Sequence, residues 1–382
     1  MTDSTRIEPA SRRTLGVLGA GTMGAGIAQV ALEAGWTVRL LDPWPGAIAK
    51  GSERIRDGLA RRAPKHGHAG LDAPRWIEDA LSRLEVAPTV AELADADLVI
   101  EAIVEDFDEK RRAFAELDAV TKPETILATN TSALSVSAIA EAAVNHPERV
   151  VGLHFFNPAP VPLLVEVVPG RRTLPAIAEK ATAIVESWGK TAVRSTDSPG
   201  FIVNRVNRPF TIEALRMLET GEASVGAIDN AIREAGFPLG PFELMDLVGL
   251  DVNLAAAAGV WEGLGRPERL RPSPIQAWLV GNHRLGRKSG SGFYGDAAGH
   301  EQVPLPLPRH VARPLRERRG LAPSAIVGRI RAGIAEEAIL ARDEGVASEA
   351  DIDTALWLGA AHPEGPFAWA RRHPTASRSK HV

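Results

Sequence analysis

The sequence predicts an α/β domain followed by an all-α domain that contains a duplicated helical unit. Three observations predict it. Up to about residue 195, short apolar runs alternate with stretches of helical spacing, as in a parallel sheet covered by helices. The first such run leads into a G-x-G-x-x-G turn. Beyond Thr196 the strand signal fades, and one helical pattern occurs twice.

The first strand is Thr14 to Leu18, and an amphipathic helix then runs to about Ala34. Between them Gly19 permits a tight turn, Gly21 lets the backbone approach a pyrophosphate, and Gly24 allows close helix packing. Gly19, Ala20, Gly21, Thr22, Met23 and Gly24 thus form a candidate phosphate loop at a helix N-terminus. The second strand, Trp36 to Leu41, ends in Asp42. An acid there accepts hydrogen bonds from an adenosine ribose and repels a 2'-phosphate, so the domain reads as Rossmann-type, with NAD preferred over NADP.

Pro43 to Arg83 is too long for a plain connection. Its helical spacing (Ile48, Ile55, Leu59) accompanies a basic cluster of Arg54, Arg56, Arg61, Arg62 and Lys65. Two readings stand: a positive face for an anionic ligand, or an ordinary solvated arm. Strands follow near Leu84 to Ala87, at Ala96 to Ala102 and at Thr125 to Thr129. Ligands of such sheets collect at the carboxyl ends, which here carry Glu101, Glu105 and Lys110, then Asn130, Thr131 and Ser132. Position alone leaves Ser132 as a site residue or a helix cap, and Lys110 as a site residue or a surface charge.

The segment GLHFFNPAPVPLLVEVV, Gly152 to Val168, places His154 and Glu166 on two apolar arms joined by a proline-rich reversal. A carboxylate inside a buried strand needs a partner, and an imidazole on the adjacent strand gains a fixed tautomer and raised basicity. The pair is therefore either catalytic or mutually satisfying structure. With a nucleotide loop upstream, the catalytic reading is the stronger.

DSPGFIVNR marks the passage to the helical half. The expected domains are residues 14–195 with the arm at 43–83, a first helical unit at 196–300, a Pro/Arg-rich linker at 301–323 and a second unit at 324–372. Val203 to Phe242 and Val327 to Phe367 share V-x-R, E-A, E-x-G-x-A-S, I-D-x-A and G-P-F. Asn204 falls opposite Gly328, so a side chain able to make a directed hydrogen bond there is kept in the first copy alone.

Composition sets the limits. With 45% hydrophobic and 24% charged residues, the chain can build two or three cores. A net charge of -4 argues against a nucleic-acid partner, and no apolar run approaches a bilayer's thickness. Zero cysteines exclude thiolate chemistry and disulfides. Together with a polar residue 1–13 lead, they suggest a cytoplasmic protein, and no metal site is expected.

GAGTMG, EAIVED, NTSALS, HFFNPAPVPLLVEVV, DSPGFIVNR, GPFELMDLVGLD and KSGSGFY together resemble the 3-hydroxyacyl-CoA dehydrogenase family over nearly the whole chain. The resemblance implies NAD-dependent oxidation of (3S)-3-hydroxyacyl-CoA, of the kind used in fatty acid, butanoate or phenylacetate degradation. It implies His154 as general base and Glu166 as its orienting acid. Ser132 would contact substrate and nicotinamide, Asn204 would hold the substrate oxygen, and Asp42, Glu105 and Lys110 would fall at NAD positions. Lys65 matches a lysine that contacts CoA in animal relatives, whereas Gly58 replaces a CoA-binding serine, which leaves Arg54, Arg61 and Lys65 to meet the carrier's phosphates. A homodimer is the family expectation; the duplicated unit leaves a monomer open.

Overall fold

The computed structural model of the chain describes residues 13–68, 70, 72–295, 307–313 and 320–374. The residue 1–12 lead and much of the 301–323 stretch lie outside them. The chain divides into two compact units, the first ending at Asp197 and the second beginning at Ser198.

The first unit runs β1 (Thr14–Leu18), α1 (Thr22–Glu33), β2 (Thr37–Leu41), α2 (Ala47–Arg62), α3 (Asp72–Leu81), β3 (Leu84–Val86), β4 (Leu98–Glu101), α4 (Phe107–Val120) and β5 (Ile126–Thr129). It continues through α5 (Val136–Ala140), β6 (Val150–Phe155), β7 (Leu164–Pro169), α6 (Pro175–Ser187) and β8 (Thr191–Arg194). These strands form one sheet in the order β3-β2-β1-β4-β5-β6-β7-β8. Pairing is parallel from β3 to β6, which is why strands such as β4 and β5 are apolar and buried along their length. The order reverses at β1, flanked by β2 and β4, and sheets of this kind bind ligands beyond the carboxyl ends at such a point. β6 and β7 are antiparallel, and their register sets His154 directly opposite Glu166.

The 43–83 insertion folds as an arm. α2 buries Gly51, Ile55, Gly58 and Leu59, one stripe at helical spacing, while Arg54, Arg61 and Lys65 stay on the exposed side.

The second unit contains α7 (Val203–Val206), α8 (Arg208–Glu219), α9 (Val225–Glu234), α10 (Pro241–Val248), α11 (Leu250–Gly263), α12 (Pro274–Gly281), α13 (Pro323–Asp343), α14 (Glu349–Gly359) and α15 (Pro366–Arg372). Two of its stretches use the same devices. Ser224 and Ser348 cap α9 and α14 through side-chain oxygens. Asp229 accepts the N–H groups of Phe242 and Glu243, as Asp353 accepts those of Phe367 and Ala368. They differ where α7 gives way to α8 but α13 runs unbroken for 21 residues. The first stretch carries Pro209 at that point, without an N–H to continue a helix, and the second carries Gly333.

Candidate active site

The glycine loop closes the end of β1. Gly19 takes φ +107°, and a Cβ there would lie 2.6 Å from the Ala102 carbonyl oxygen. At Gly24 a Cβ would come within 1.8 Å of the Gly19 carbonyl oxygen, so both positions exclude a side chain. No side chain caps α1 at Gly21, and a Cβ on Gly21 would meet open space. The uncapped N–H groups and this gap are what a pyrophosphate requires. Asp42 stands beside the loop: Oδ2 accepts the Ala20 N–H at 2.7 Å and Oδ1 that of Trp44 at 2.9 Å. Each oxygen keeps a second lone pair for a ribose hydroxyl. The residues thus fit a bound NAD.

At the ends of β4 and β5 lies a buried polar network. Glu101 is 0% exposed and Lys110 1%, with Lys110 Nζ 2.5 Å from Glu101 Oε1. Glu101 also accepts the Ile103 N–H and, through Oε2, the Thr129 hydroxyl. The same ammonium lies 3.3 Å from Glu105 Oε2. Glu105 Oε1 then accepts the Thr131 hydroxyl at 2.6 Å and the Ser132 N–H at 2.9 Å. Lys110 is therefore no surface charge; it holds Glu105, and Glu105 holds the loop that carries Ser132. Burial pushes the Glu105 carboxyl up, but the Lys110 charge and the Thr131 and Ser132 donors outweigh it and hold it below the usual range.

Ser132 does not cap the following helix. Ser135 does, and Asp197 reinforces it by accepting the Ser135 hydroxyl and the N–H groups of Val136 and Ser137. Neither Asp197 nor Asn130, whose Oδ1 accepts the Phe155 N–H, was assigned such a role from sequence. An acid at the start of DSPGF and an amide ending a strand were the available signals.

On the hairpin, His154 Nδ1 lies 2.5 Å from Glu166 Oε2, with the carboxylate fully buried and the imidazole nearly so. A neutral imidazole that donates from Nδ1 carries its lone pair on Nε2, the nitrogen able to take a proton. The Phe156 ring lies against it, 4.5 Å between centroids. Asn204 belongs to the second unit, on α7. In the arm, Arg56 pairs with Glu78 and Arg62 with Glu33, whereas Arg54, Arg61 and Lys65 have no ion pair among the described residues. Gly58 packs on α1, where a Cβ would lie 1.9 Å from Gln29 Oε1 and would have to displace the end of that side chain. No group of three or more metal-ligating side chains is found among the described residues.

Residues 14–198 match the model of the 3-hydroxyacyl-CoA dehydrogenase NAD-binding domain, and residues 200–296 that of the same family's C-terminal domain. The chain belongs to the 3-hydroxyacyl-CoA dehydrogenase family. The 3-hydroxyadipyl-CoA dehydrogenase of Escherichia coli K12 is 38% identical over 94% of this chain and 90% of its own length. A probable 3-hydroxybutyryl-CoA dehydrogenase of Bacillus subtilis is 42% identical over 73% of this chain and 95% of its own. The crystal structure of 3-hydroxybutyryl-CoA dehydrogenase from Escherichia coli K12 superposes with a TM-score of 0.85 at 36% identity, covering 95% of this chain and 92% of that one. As in other 3-hydroxyacyl-CoA dehydrogenases, the N-terminal unit is an NAD-binding domain.

Proposed function

We propose that the chain oxidises (3S)-3-hydroxyacyl-CoA to 3-oxoacyl-CoA with NAD, and that His154 is the general base. The observation that carries the reading is the buried His154–Glu166 pair on a hairpin of the NAD-binding unit. Oxidation of a secondary alcohol removes a proton from oxygen and a hydride from the same carbon. NAD, when bound, supplies the hydride acceptor. His154 Nε2 takes the C3 hydroxyl proton, and the Glu166 carboxylate fixes the tautomer and stabilises the imidazolium that results. Ser132 and Asn204 are assigned to the C3 oxygen, where a hydrogen-bond donor offsets developing negative charge.

Gly19 to Gly24 and Asp42 would hold the dinucleotide. Lys110 supports that site through Glu105, because its own ammonium is enclosed by two carboxylates. Exposed and without ion pairs among the described residues, Arg54, Arg61 and Lys65 are available to the anionic carrier of acyl-CoA. The test is NADH formation across 3-hydroxyacyl-CoA chain lengths, with free hydroxy acids and sugar acids as controls. Turnover of a CoA thioester supports the proposal; turnover confined to a CoA-free acid overturns it.

For the oligomeric state we infer a monomer. The two helical stretches pack on each other through reciprocal contacts: Arg205 Nε meets Glu337 Oε1 at 2.8 Å, and Arg329 Nε meets Glu213 Oε2 at 2.8 Å. Arg329 and Glu337 each lie 124 residues after Arg205 and Glu213, and a Cβ on Gly333 would touch Pro209, its own counterpart, at 3.1 Å. Reciprocity of that kind belongs to a two-fold interface, and here one chain supplies both sides. Light scattering after size exclusion should give the monomer mass; a dimer mass would overturn the inference. No single helix among the described residues is long and apolar enough to cross a membrane. The cysteine-free chain suits a reducing compartment, and we assign it to the cytoplasm.

A further inference from the structure

The connection between His154 and Glu166, residues 156–163, contains Pro158, Pro160 and Pro162, so it has few N–H groups with which to brace itself. One backbone hydrogen bond lies within it, from Val161 N to Pro158 O at 2.9 Å. Its carbonyl groups are taken from outside. Lys190, buried in the turn before β8, donates from Nζ to Ala159 O at 2.7 Å and Pro162 O at 2.8 Å. Arg62, at the end of arm helix α2, donates from Nη1 to Pro160 O at 3.1 Å. The same guanidinium donates from Nε to Glu33 Oε2 on α1 at 2.9 Å, and Glu33 is further held by Gln29 and His66. Gly26 lets α1 come up against Ala159 and Pro160.

We propose that Arg62 and Lys190 are positioning residues for the His154–Glu166 hairpin, clamping its loop by three carbonyl groups and tying the basic arm to it. The inference rests on the reading of His154 as general base. Its physical basis is that the loop cannot fix itself, whereas a base must sit within a fraction of an ångström of the proton it takes. Burial next to the Arg62 charge lowers the Lys190 ammonium to about 8, which marks a cation kept in an unfavourable place; the nearby Glu33 carboxylate opposes that shift in part. Arg62 gives the arm a mechanical route to the hairpin, so a carrier bound on the arm would bear on the geometry of the base.

The experiment compares wild type, Lys190→Met, Lys190→Arg, Arg62→Met and the double Met variant, with His154→Ala alongside. It measures kcat, KM for 3-hydroxybutyryl-CoA, the pH dependence of kcat, and NAD affinity by calorimetry without substrate. We expect Lys190→Met to lose about ten- to a hundredfold in kcat and to shift the acid limb of its pH profile, with NAD affinity unchanged within about twofold. Lys190→Arg should recover part of the rate. The double variant should lose less than the product of the single losses, because both cations hold one loop. Arg62 is a quarter exposed, so Arg62→Met reports on the clamp even if Lys190→Met fails to fold. If both Met variants keep wild-type kcat and pH limb while His154→Ala is inactive, the clamp is refuted. If His154→Ala itself retains turnover, the reading of the base fails instead.

Discussion

Two buried carboxylates in the same sheet are equally inaccessible, and each meets a nitrogen partner. Glu101 meets Lys110; Glu166 meets His154. The first pair is enclosed on every side, with Thr129, Ile103 and Glu105 joining it. Its ammonium holds Glu105 under Ser132. The second pair has an imidazole in place of the ammonium, and an imidazole can gain and lose a proton near neutral pH. With burial and distance nearly equal, the two pairs differ in partner chemistry, and the proposed catalytic role of His154 rests on that difference.

Breaking the second pair should have the largest effect. Glu166→Gln keeps the shape but no longer enforces the tautomer or stabilises the imidazolium, and kcat should fall about a thousandfold with thermal stability little changed. Steady-state kinetics and a melting curve check both halves. Breaking the first pair should show the opposite balance. Lys110→Met strands a buried carboxylate and should cost about 3–5 kcal/mol of stability, read by urea denaturation.

Smaller effects sharpen the contrast. Ser132→Ala removes the hydroxyl but leaves the Glu105 contact to the backbone N–H, so kcat should drop about a hundredfold with NAD affinity kept, measured by kinetics and calorimetry. Asp42→Ala should narrow the preference for NAD over NADP by about tenfold, the worth of one charge-assisted hydrogen bond; the ratio of kcat/KM for the two cofactors is the measure. Glu105 has a folded pKa below its unfolded value, so the stability it contributes is present above about pH 4.5 and lost as pH falls through the folded pKa. Glu105→Gln should accordingly lower Tm at pH 7 more than near pH 3, as thermal scans at the two pH values would show.

Much of this was legible in the sequence, because strands buried on both faces are written as apolar runs and the glycines follow from contact geometry. The proline-bracketed reversal between His154 and Glu166 was legible too, since three prolines within five residues leave the chain little else to do. Lys110 was not. Helix α4 reads FDEKRRAFAELDAV, and although Lys110 shares the buried stripe of Ala113, Phe114 and Leu117, its charge reads like that of Arg111 and Arg112; Glu101 on the preceding strand supplies the partner that burial needs. Ser132 and Ser135 stand three residues apart in NTSALS, and which one caps the helix is decided by Asp197, more than sixty residues away. Arg62 and Lys190 bind backbone carbonyl groups, which every residue has, so no side-chain pattern could announce their partners.

The central claim, that His154 is the base of an NAD-dependent 3-hydroxyacyl-CoA oxidation, is tested most directly by His154→Ala assayed with (3S)-3-hydroxybutyryl-CoA while NAD affinity is measured on the same protein. The account predicts a fall in kcat of about a thousandfold or more with the NAD Kd unchanged within about twofold. Turnover close to wild type, or a loss explained wholly by weaker NAD binding, would contradict it.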